Sequence, residues 1–379
     1  MENRKTVRVA VAGIGNCASS LVQGIAYYRH REGAAVAGLM HQDIGGFRPG
    51  DLEVVAAFDI DRRKVGRPLE EAVFAQPNCA LVFQDSLPES GVIVEMAPPL
   101  DGVAPHMRDF PAEETFCPAD EPSVDVAEAL RRTGAEVLVC YMPVGAEEAA
   151  KHYARACLET GVAMVNCVPV FIASDPDWAA RFAAAGIPIV GDDVKSQVGA
   201  TILHRAIARL FCDRGYDLHR TYQLNTGGNT DFLNMLSRDR LRSKKTSKTE
   251  SVQSQLDRRL VPRDIHVGPS DYVPWQGDNK VAFIRVEGQG FGGAPVELEL
   301  RLSVQDSPNS AGVVIDAVRC AKLALERGLA GPLEAVSAYY MKSPPRQMRD
   351  SEARSLCDAF IGGDDGLARA PSSRDVAAE

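Results

Sequence analysis

The first half of the chain alternates between two hydrophobic rhythms. Short apolar runs at 7–12, 53–58, 91–96, 136–141, 163–167 and 187–190 read as buried strands. Stretches of helical period at 21–28, 124–132, 147–160 and 175–185 lie between them. This alternation predicts an α/β unit, a doubly wound parallel sheet covered by helices on both faces. Residues 40–51 read as an inserted loop, and 98–122, rich in Pro, Asp and Glu, as a flexible excursion. The rhythm then changes. An amphipathic helix over 196–211, with Ile202, Ile207 and Leu210 on one side, leaves the first unit. Arg220–Leu224 predicts a strand, and 280–286 with 296–304 alternate like the arms of a hairpin. A helix over 312–327 carries the stripe Val314, Val318, Ala321 and Leu325, with Asp316, Arg319, Lys322 and Glu326 facing outward. Asp306–Ser310 is expected to cap it and Gly328 to end it. The expected units are 1–198, then 199–310 as an α+β domain with a mixed sheet, then 311–363 returning to the first unit. A disordered tail is expected over 364–379.

One polar region interrupts this pattern. Asn225-Thr-Gly-Gly-Asn-Thr-Asp231-Phe-Leu-Asn234 is followed by Arg242-Ser-Lys244-Lys-Thr-Ser-Lys248-Thr249. On a helix Lys244 and Lys248 share a face, where two ammonium groups repel unless an anion lies between them. A solvated basic loop is the bland alternative. Against it stand further lysines beside Gly, Asp or Pro: Lys195 after Asp193, Lys280 after Asp278, and Lys342 before Pro344. Such settings fit a pocket for a phosphorylated, oxygen-rich substrate. Few apolar anchors lie within 225–254, so this stretch is expected to be poorly ordered without ligands.

Gly13-Ile-Gly15-Asn-Cys-Ala18 joins the first strand to the first helix. Gly13 permits the tight turn, Gly15 admits a pyrophosphate, and Ala18 lets helix and strand pack closely, as in Rossmann-type dinucleotide sites. The acidic partner, Asp59, ends the second strand and comes later than the usual spacing of ~20 residues because of the inserted loop. It is expected to bond the adenosine ribose and to favour NAD over NADP, with Arg62 and Arg63 close enough to weaken that preference; a simple helix cap is the alternative. Ligands of such sheets lie at the carboxyl ends of the strands. Met142, Pro143, Asn166 and Asp192 are expected there beside Gly13 and Asp59.

With 379 residues, 45% hydrophobic and 25% charged, the chain has the size of two or three domains. A net charge of -9 argues against bulk nucleic-acid binding. No run approaches the ~20 apolar residues of a membrane span, and because the start runs straight into a strand no signal peptide is expected. Nine scattered cysteines lack zinc spacing; Cys140, Cys212 and Cys320 are expected to be buried thiols, and a cytoplasmic protein is expected. The seven histidines form no close pair.

Seven motifs occur in order: Gly13-Ile-Gly-Asn-Cys-Ala-Ser-Ser20, Gly191-Asp-Asp-Val-Lys-Ser196, Asn225-x-x-Gly-Asn-x-Asp231, Ser243-Lys-x-x-Ser-Lys248, Asp278-x-Lys280, Asp306-Ser-Pro-Asn-Ser310 and Met341-Lys-Ser-Pro-Pro345. From about Val7 to about Phe360 the chain thereby resembles myo-inositol-1-phosphate synthase in its compact bacterial form. The resemblance implies an NAD-dependent isomerisation of D-glucose 6-phosphate to 1D-myo-inositol 3-phosphate. The implied steps are oxidation at C5, enolisation at C6, aldol closure onto C1 and re-reduction. It implies a catalytic cluster of Lys244, Lys248, Lys280 and Lys342, with Lys244 and Lys342 near O5, and Lys248 and Lys280 near O1 and the phosphate. Asp193, Asp231, Asp278 and Asp306 would orient the lysines, and Ser196, Gln197 and Asn229 would hold phosphate and hydroxyls. Lys195 is either a substrate ligand or an ion-pair partner of Asp192 or Asp193. The turn residues Gly13, Ile14, Gly15, Asn16, Cys17 and Ala18 would hold NAD. The resemblance also implies a divalent cation, with no ligands assigned, and a homotetramer built on the sheet of the second domain. The competing readings are an ordinary NAD(P)-dependent dehydrogenase of a phosphorylated or amino-acid substrate, and a non-catalytic NAD-binding regulator.

Overall fold

The computed structural model describes residues 5–31 and 36–364. The expected disordered tail therefore lies, but for Asp364, outside the described residues. The first half forms β1 (Val7–Ala12), α1 (Asn16–Tyr28), β2 (Leu52–Asp59), α2 (Leu69–Ala72), β3 (Glu95–Met96), α3 (Val126–Thr133), β4 (Val137–Cys140), α4 (Glu147–Thr160), β5 (Ala163–Asn166), α5 (Pro176–Ala184) and β6 (Pro188–Val190). Every residue of β4, β5 and β6 is buried. Burial on both faces is why these strands read as continuous apolar runs rather than alternating ones. Local chemistry sets helix ends: Asp125 accepts from the Glu128 N–H, Asp175 accepts from Asp177 and Trp178, and Gly134 stops α3 at φ +60°.

The second half forms α6 (Ala200–Asp213), β7 (Asp217–Gly227), α7 (Thr230–Asn234), α8 (Arg242–Gln253), β8 (Ile265–Tyr272), β9 (Asn279–Gln289), β10 (Pro295–Gln305), α9 (Asp306–Glu326), β11 (Gly331–Pro332), α10 (Glu334–Tyr340) and α11 (Asp350–Ile361). The first sheet is parallel, in the order β11-β6-β5-β4-β1-β2-β3. The second is mixed, in the order β10-β9-β7-β8, with β7 and β8 parallel. One face of it is closed by α6 and α8 through Ala208, Val252, Val267 and Ile284. The expected Rossmann-type sheet with a separate mixed sheet is what the chain forms. Helix α9 returns to the first sheet, packing on α1 and β5 with Val314, Val318 and Ala321 in the larger core.

Four local expectations are corrected. The helix over 196–211 begins only at Ala200, because Ser196 and Gln197 stay in the approach loop and Gly199 takes the extended N-cap position. Asp306–Ser310 does not precede α9 but forms its first turns. Its cap is tertiary: the Asp278 carboxylate accepts from the Ser307 N–H at 3.0 Å, a group no local reading places there. Asp316 and Arg319 do not face outward; both are fully buried and paired, and Arg319 donates to the carbonyls of His41, Gln42 and Phe47, tying down the inserted loop. Cys212 is only partly buried, whereas Cys140 and Cys320 are enclosed. The 98–122 excursion contains a 3-10 turn at Pro105–Asp109, and its Ala104 and Met107 pack on Leu233 of α7.

Candidate active site

The carboxyl ends of the parallel strands and the inner end of the second sheet border one cleft, with about 1710 Å³ of empty space that includes its open mouth. At one end lies the turn between β1 and α1. Gly13 has φ +91°, and a Cβ there would meet the Tyr141 carbonyl oxygen at 2.7 Å. A Cβ on Gly15, the N-cap of α1, would meet nothing within 4 Å. The turn is therefore packed below and open above, which is the cradle a pyrophosphate needs at a helix N-terminus. Asp59 ends β2 beside it. Its Oδ2 accepts from the Ile14 N–H at 2.7 Å, and its Oδ1 from the N–H groups of Ile60 and Asp61. These bonds lock the carboxylate at the mouth of the turn. Met142 and Pro143 line the cleft after β4.

Four lysines line the other end, from three distant parts of the chain. Lys244 and Lys248 come from α8, Lys280 from the start of β9, and Lys342 from the segment after α10. Lys342 Nζ donates to Asp193 Oδ1 at 2.8 Å, Lys244 to Asp231 at 3.0 Å, and Lys280 to Asp306 at 3.2 Å. Lys248 is 6% exposed and has no carboxylate partner among the described residues. Burial, then the charges of Lys244, Lys280 and Lys342, push its pKa well below the ordinary lysine value. Burial also lowers Lys342, with Lys280 and Lys244 adding to the shift against Asp193. For Lys244 burial opposes the charge, but Asp231 and Asp193 outweigh it and hold its pKa above the ordinary value. Burial would raise the Asp193 carboxyl, yet Lys342 and Lys244 hold it below the usual range. The cluster thus contains ammonium groups fixed by carboxylates and amines made ready to exchange protons.

Asp278 does not pair with a lysine. It is buried, accepts from Asn229 Nδ2 at 3.0 Å and from Ser307 Oγ at 2.7 Å, and burial beside Asp306 raises its pKa to about 6. Its place is beneath the site, joining the caps of α7 and α9. Asn229 lines the cleft while its Oδ1 caps α7. Ser196, Asn16 and Cys17 line the cleft as well, and Ile14 and Ala18 are buried behind the turn.

Four other candidates lie elsewhere. Asn166 and Asp192 are fully buried and bonded to each other, and Asp192 also accepts from the N–H groups of Ile172, Ala173 and Ser174. They hold the loop whose Val168 and Pro169 form part of the cleft wall, instead of facing a ligand. Lys195 turns away from the cleft. It donates to the Ala338 carbonyl and to Asp350 at 3.0 Å, not to Asp192 or Asp193, and burial lowers its pKa to about 8. Gln197 donates to the Gly38 carbonyl, on the far side of the approach loop.

The structure adds residues to which the sequence reading gave no role. Ser247 donates to Asp193 Oδ2 at 2.6 Å, so one carboxylate grips both α8 and Lys342. The Ser243-Lys-x-x-Ser-Lys248 spacing holds this signal, because a serine next to Lys248 shares the buried face. Ser307, Ser310, Gln223 and Lys64 also border the cleft. Among the described residues no three His, Cys, Asp or Glu side chains gather as a metal cage. Of the carboxylates lining the cleft, Asp193, Asp231 and Asp306 hold ammonium groups and Asp59 holds backbone N–H groups, so a divalent cation does not fit a site made of these side chains alone.

The model of the family described as myo-inositol-1-phosphate synthase matches residues 199–307. The inositol-3-phosphate synthase of Mycolicibacterium smegmatis is 53% identical over 96% of this chain and 99% of its own length. This chain belongs to the myo-inositol-1-phosphate synthase family. The Corynebacterium glutamicum inositol-3-phosphate synthase is likewise 53% identical, over 94% of this chain and 98% of its own. A solved myo-inositol-1-phosphate synthase-related protein from Thermotoga maritima superposes with a TM-score of 0.77 at 25% identity, covering 94% and 98% of the two chains. The matched segment 199–307 contains Asp231, Lys244, Lys248, Asp278, Lys280 and Asp306, whereas Asp193 and Lys342 of the same cleft lie outside it.

Proposed function

We propose that the protein converts D-glucose 6-phosphate to 1D-myo-inositol 3-phosphate with NAD as a recycled cofactor. One observation carries the reading: four lysines, three of them held by carboxylates, share a cleft with a glycine turn suited to a dinucleotide. NAD would rest on Gly13, Gly15, Asn16 and Cys17, with its ribose at Asp59. When bound, it supplies a hydride acceptor at C5 and returns the hydride after ring closure.

The lysines divide into two working pairs, each with one fixed cation and one proton carrier. Near O5, Lys342 takes the hydroxyl proton as C5 is oxidised, and Lys244, held cationic by Asp231, stabilises the oxygen as it gains charge. The substrate's own phosphate removes the C6 proton, since no histidine or glutamate in the motifs is placed as a base. At the aldehyde end Lys280 is held in place by Asp306, and Lys248 gives O1 the proton it acquires when the C6–C1 bond forms. A single preorganised donor of this kind is worth roughly 3 kcal/mol.

The same reading makes the protein a homotetramer joined through the second sheet. The outer face of that sheet bares Leu224 and Phe283, and Leu298, Leu300 and Leu302 of edge strand β10 are only half-covered. No helix among the described residues is long and apolar enough to cross a membrane, and a cytoplasmic location is part of the proposal.

The deciding experiment is incubation with glucose 6-phosphate and a catalytic amount of NAD, with the product identified by NMR. Substrate deuterated at C5 is expected to yield inositol phosphate that keeps the label on the corresponding ring carbon. An ordinary dehydrogenase would instead raise absorbance at ~340 nm in step with turnover and lose the label to the nucleotide pool. That outcome, without a cyclic product, overturns the proposal.

A further inference from the structure

Arg62, Arg63 and Lys64 follow β2 as a basic run, but the three cations have different fates. Arg62 is exposed. Arg63 is consumed by Asp61 and by the carbonyls of Ala112 and Thr115. Lys64 turns inward and is 1% exposed, in the wall of the same cleft as Gly13, Gly15 and Asn16. Its Nζ donates to the Ile14 carbonyl at 2.8 Å and to Asn78 Oδ1 at 2.9 Å. Asn78 Nδ2 donates to the same Ile14 carbonyl at 3.0 Å. The Ile14 N–H is held by Asp59, so the peptide at the centre of the glycine turn is fixed from both sides.

A buried ammonium is unfavourable unless an opposite charge compensates it. Both hydrogen-bond acceptors of Lys64 are neutral. The Asp59 carboxylate stands 4.0 Å away, and its oxygens already accept three backbone N–H groups. Asp61 is engaged by Arg63. The protein therefore compensates the Lys64 charge only in part, at the one place where the cleft suits a doubly charged pyrophosphate.

We propose that Lys64 is a cofactor-binding residue: its buried charge faces the pyrophosphate of the dinucleotide, and its bond to Ile14 aims the N–H groups of the turn. This rests on the NAD reading above. The test is titration of the full-length protein with NAD and with ADP-ribose, a probe that has the pyrophosphate and lacks nicotinamide. Lys64→Met keeps the stem and removes the charge. It is expected to raise Kd for both ligands at least tenfold, by similar factors, and to leave the weak binding of adenosine within twofold.

Asn78→Asp provides the second arm, setting a carboxylate against the ammonium without removing the side chain. It is expected to weaken NAD in the same direction by a smaller factor, and it decides the matter where Lys64→Met does not fold. Unchanged NAD affinity in a folded Lys64→Met protein, or in Asn78→Asp when that variant must decide, overturns the assignment. So does an equal loss for adenosine, which would make Lys64 structural. Failure of the unsubstituted protein to bind NAD or ADP-ribose would sink the cofactor reading itself.

Discussion

At one end of the cleft the groups that meet a ligand are backbone. Gly13, Gly15 and the start of α1 are contiguous, and Asp59 and Lys64 hold their peptide bonds in place. At the other end they are side chains. Lys244, Lys248, Lys280 and Lys342 arrive from α8, β9 and the segment after α10, and carboxylates from three further places hold all but one of them. The turn is held by one carboxylate and one ammonium that lie beside each other, Asp59 on the Ile14 N–H and Lys64 on its carbonyl, over a packed floor. The cluster is stable only because Asp193, Asp231 and Asp306 offset ammonium groups that would otherwise repel. A cradle built on backbone tolerates many side-chain changes. A charge cluster in low dielectric depends on each member.

Substitutions should expose that contrast most strongly at the cluster. Lys280→Ala removes a fixed cation from the substrate oxygens and leaves Asp306 unpaired. Turnover is expected to fall by about a thousandfold, in line with the loss of a preorganised oxyanion donor. NAD affinity by direct titration should stay within about twofold, because β9 does not reach the glycine turn. Near-normal inositol phosphate formation would remove Lys280 from the site.

Lys248 sharpens the distinction between fixed cations and proton carriers. Its lowered pKa means that the proton leaves at a lower pH than from an ordinary lysine, near ~10.4. As the donor of the O1 proton Lys248 works as the ammonium, so kcat/KM should fall as pH rises through its lowered pKa, well below that value. Lys248→Arg keeps the charge and cannot release the proton. Activity is expected to drop about a hundredfold, and the alkaline limb set by Lys248 should vanish. An unchanged limb in the arginine variant would hand the titration to another group.

The backbone end should respond more mildly. Asp59→Ala removes the ribose acceptor and the anchor of the Ile14 N–H. NAD affinity is expected to weaken about tenfold, with NADP losing less, so that the preference between them narrows. Arg63, bound to Asp61, is not available for a 2′-phosphate, which strengthens the preference for NAD that Arg63 on its own would weaken. Equal use of both cofactors before substitution would break this part of the comparison.

The smallest effect concerns order. Amides of 225–254 are expected to gain hydrogen-exchange protection when NAD and substrate bind, while those of β1 change little. Equal protection of 225–254 with and without ligands would argue against a closing segment.

Much of the cofactor end was legible along the chain. The strand, glycines and helix of the turn are neighbours in sequence, and Asp59 was found because it ends an apolar run despite the inserted loop. The lysines were legible as a set, through motifs in order, and so were Asp193, Asp231 and Asp306 as groups that orient them, but which acid holds which lysine was not. Asp193 with Lys342 and Asp306 with Lys280 are pairs whose members lie far apart in the chain. Lys195, beside an acid, and Lys342, beside a proline turn, read as members of one set; the burial of Lys195 against Asp350 and the bond of Lys342 to Asp193 separate them.

Periodicity and turn chemistry depend on neighbours within a few residues, so the alternating strands and helices, the glycine turn and most helix ends followed from local order. The charged side chains did not. Asp316 and Arg319 sit at outward positions of an amphipathic stripe and are nonetheless buried, because the inserted loop folds over them and supplies three carbonyl acceptors. Asp278 caps a helix from another element, and Lys64 lies under a turn instead of in solvent. For a charged residue, burial is decided by compensation in space, and the compensating group is set by how the elements pack.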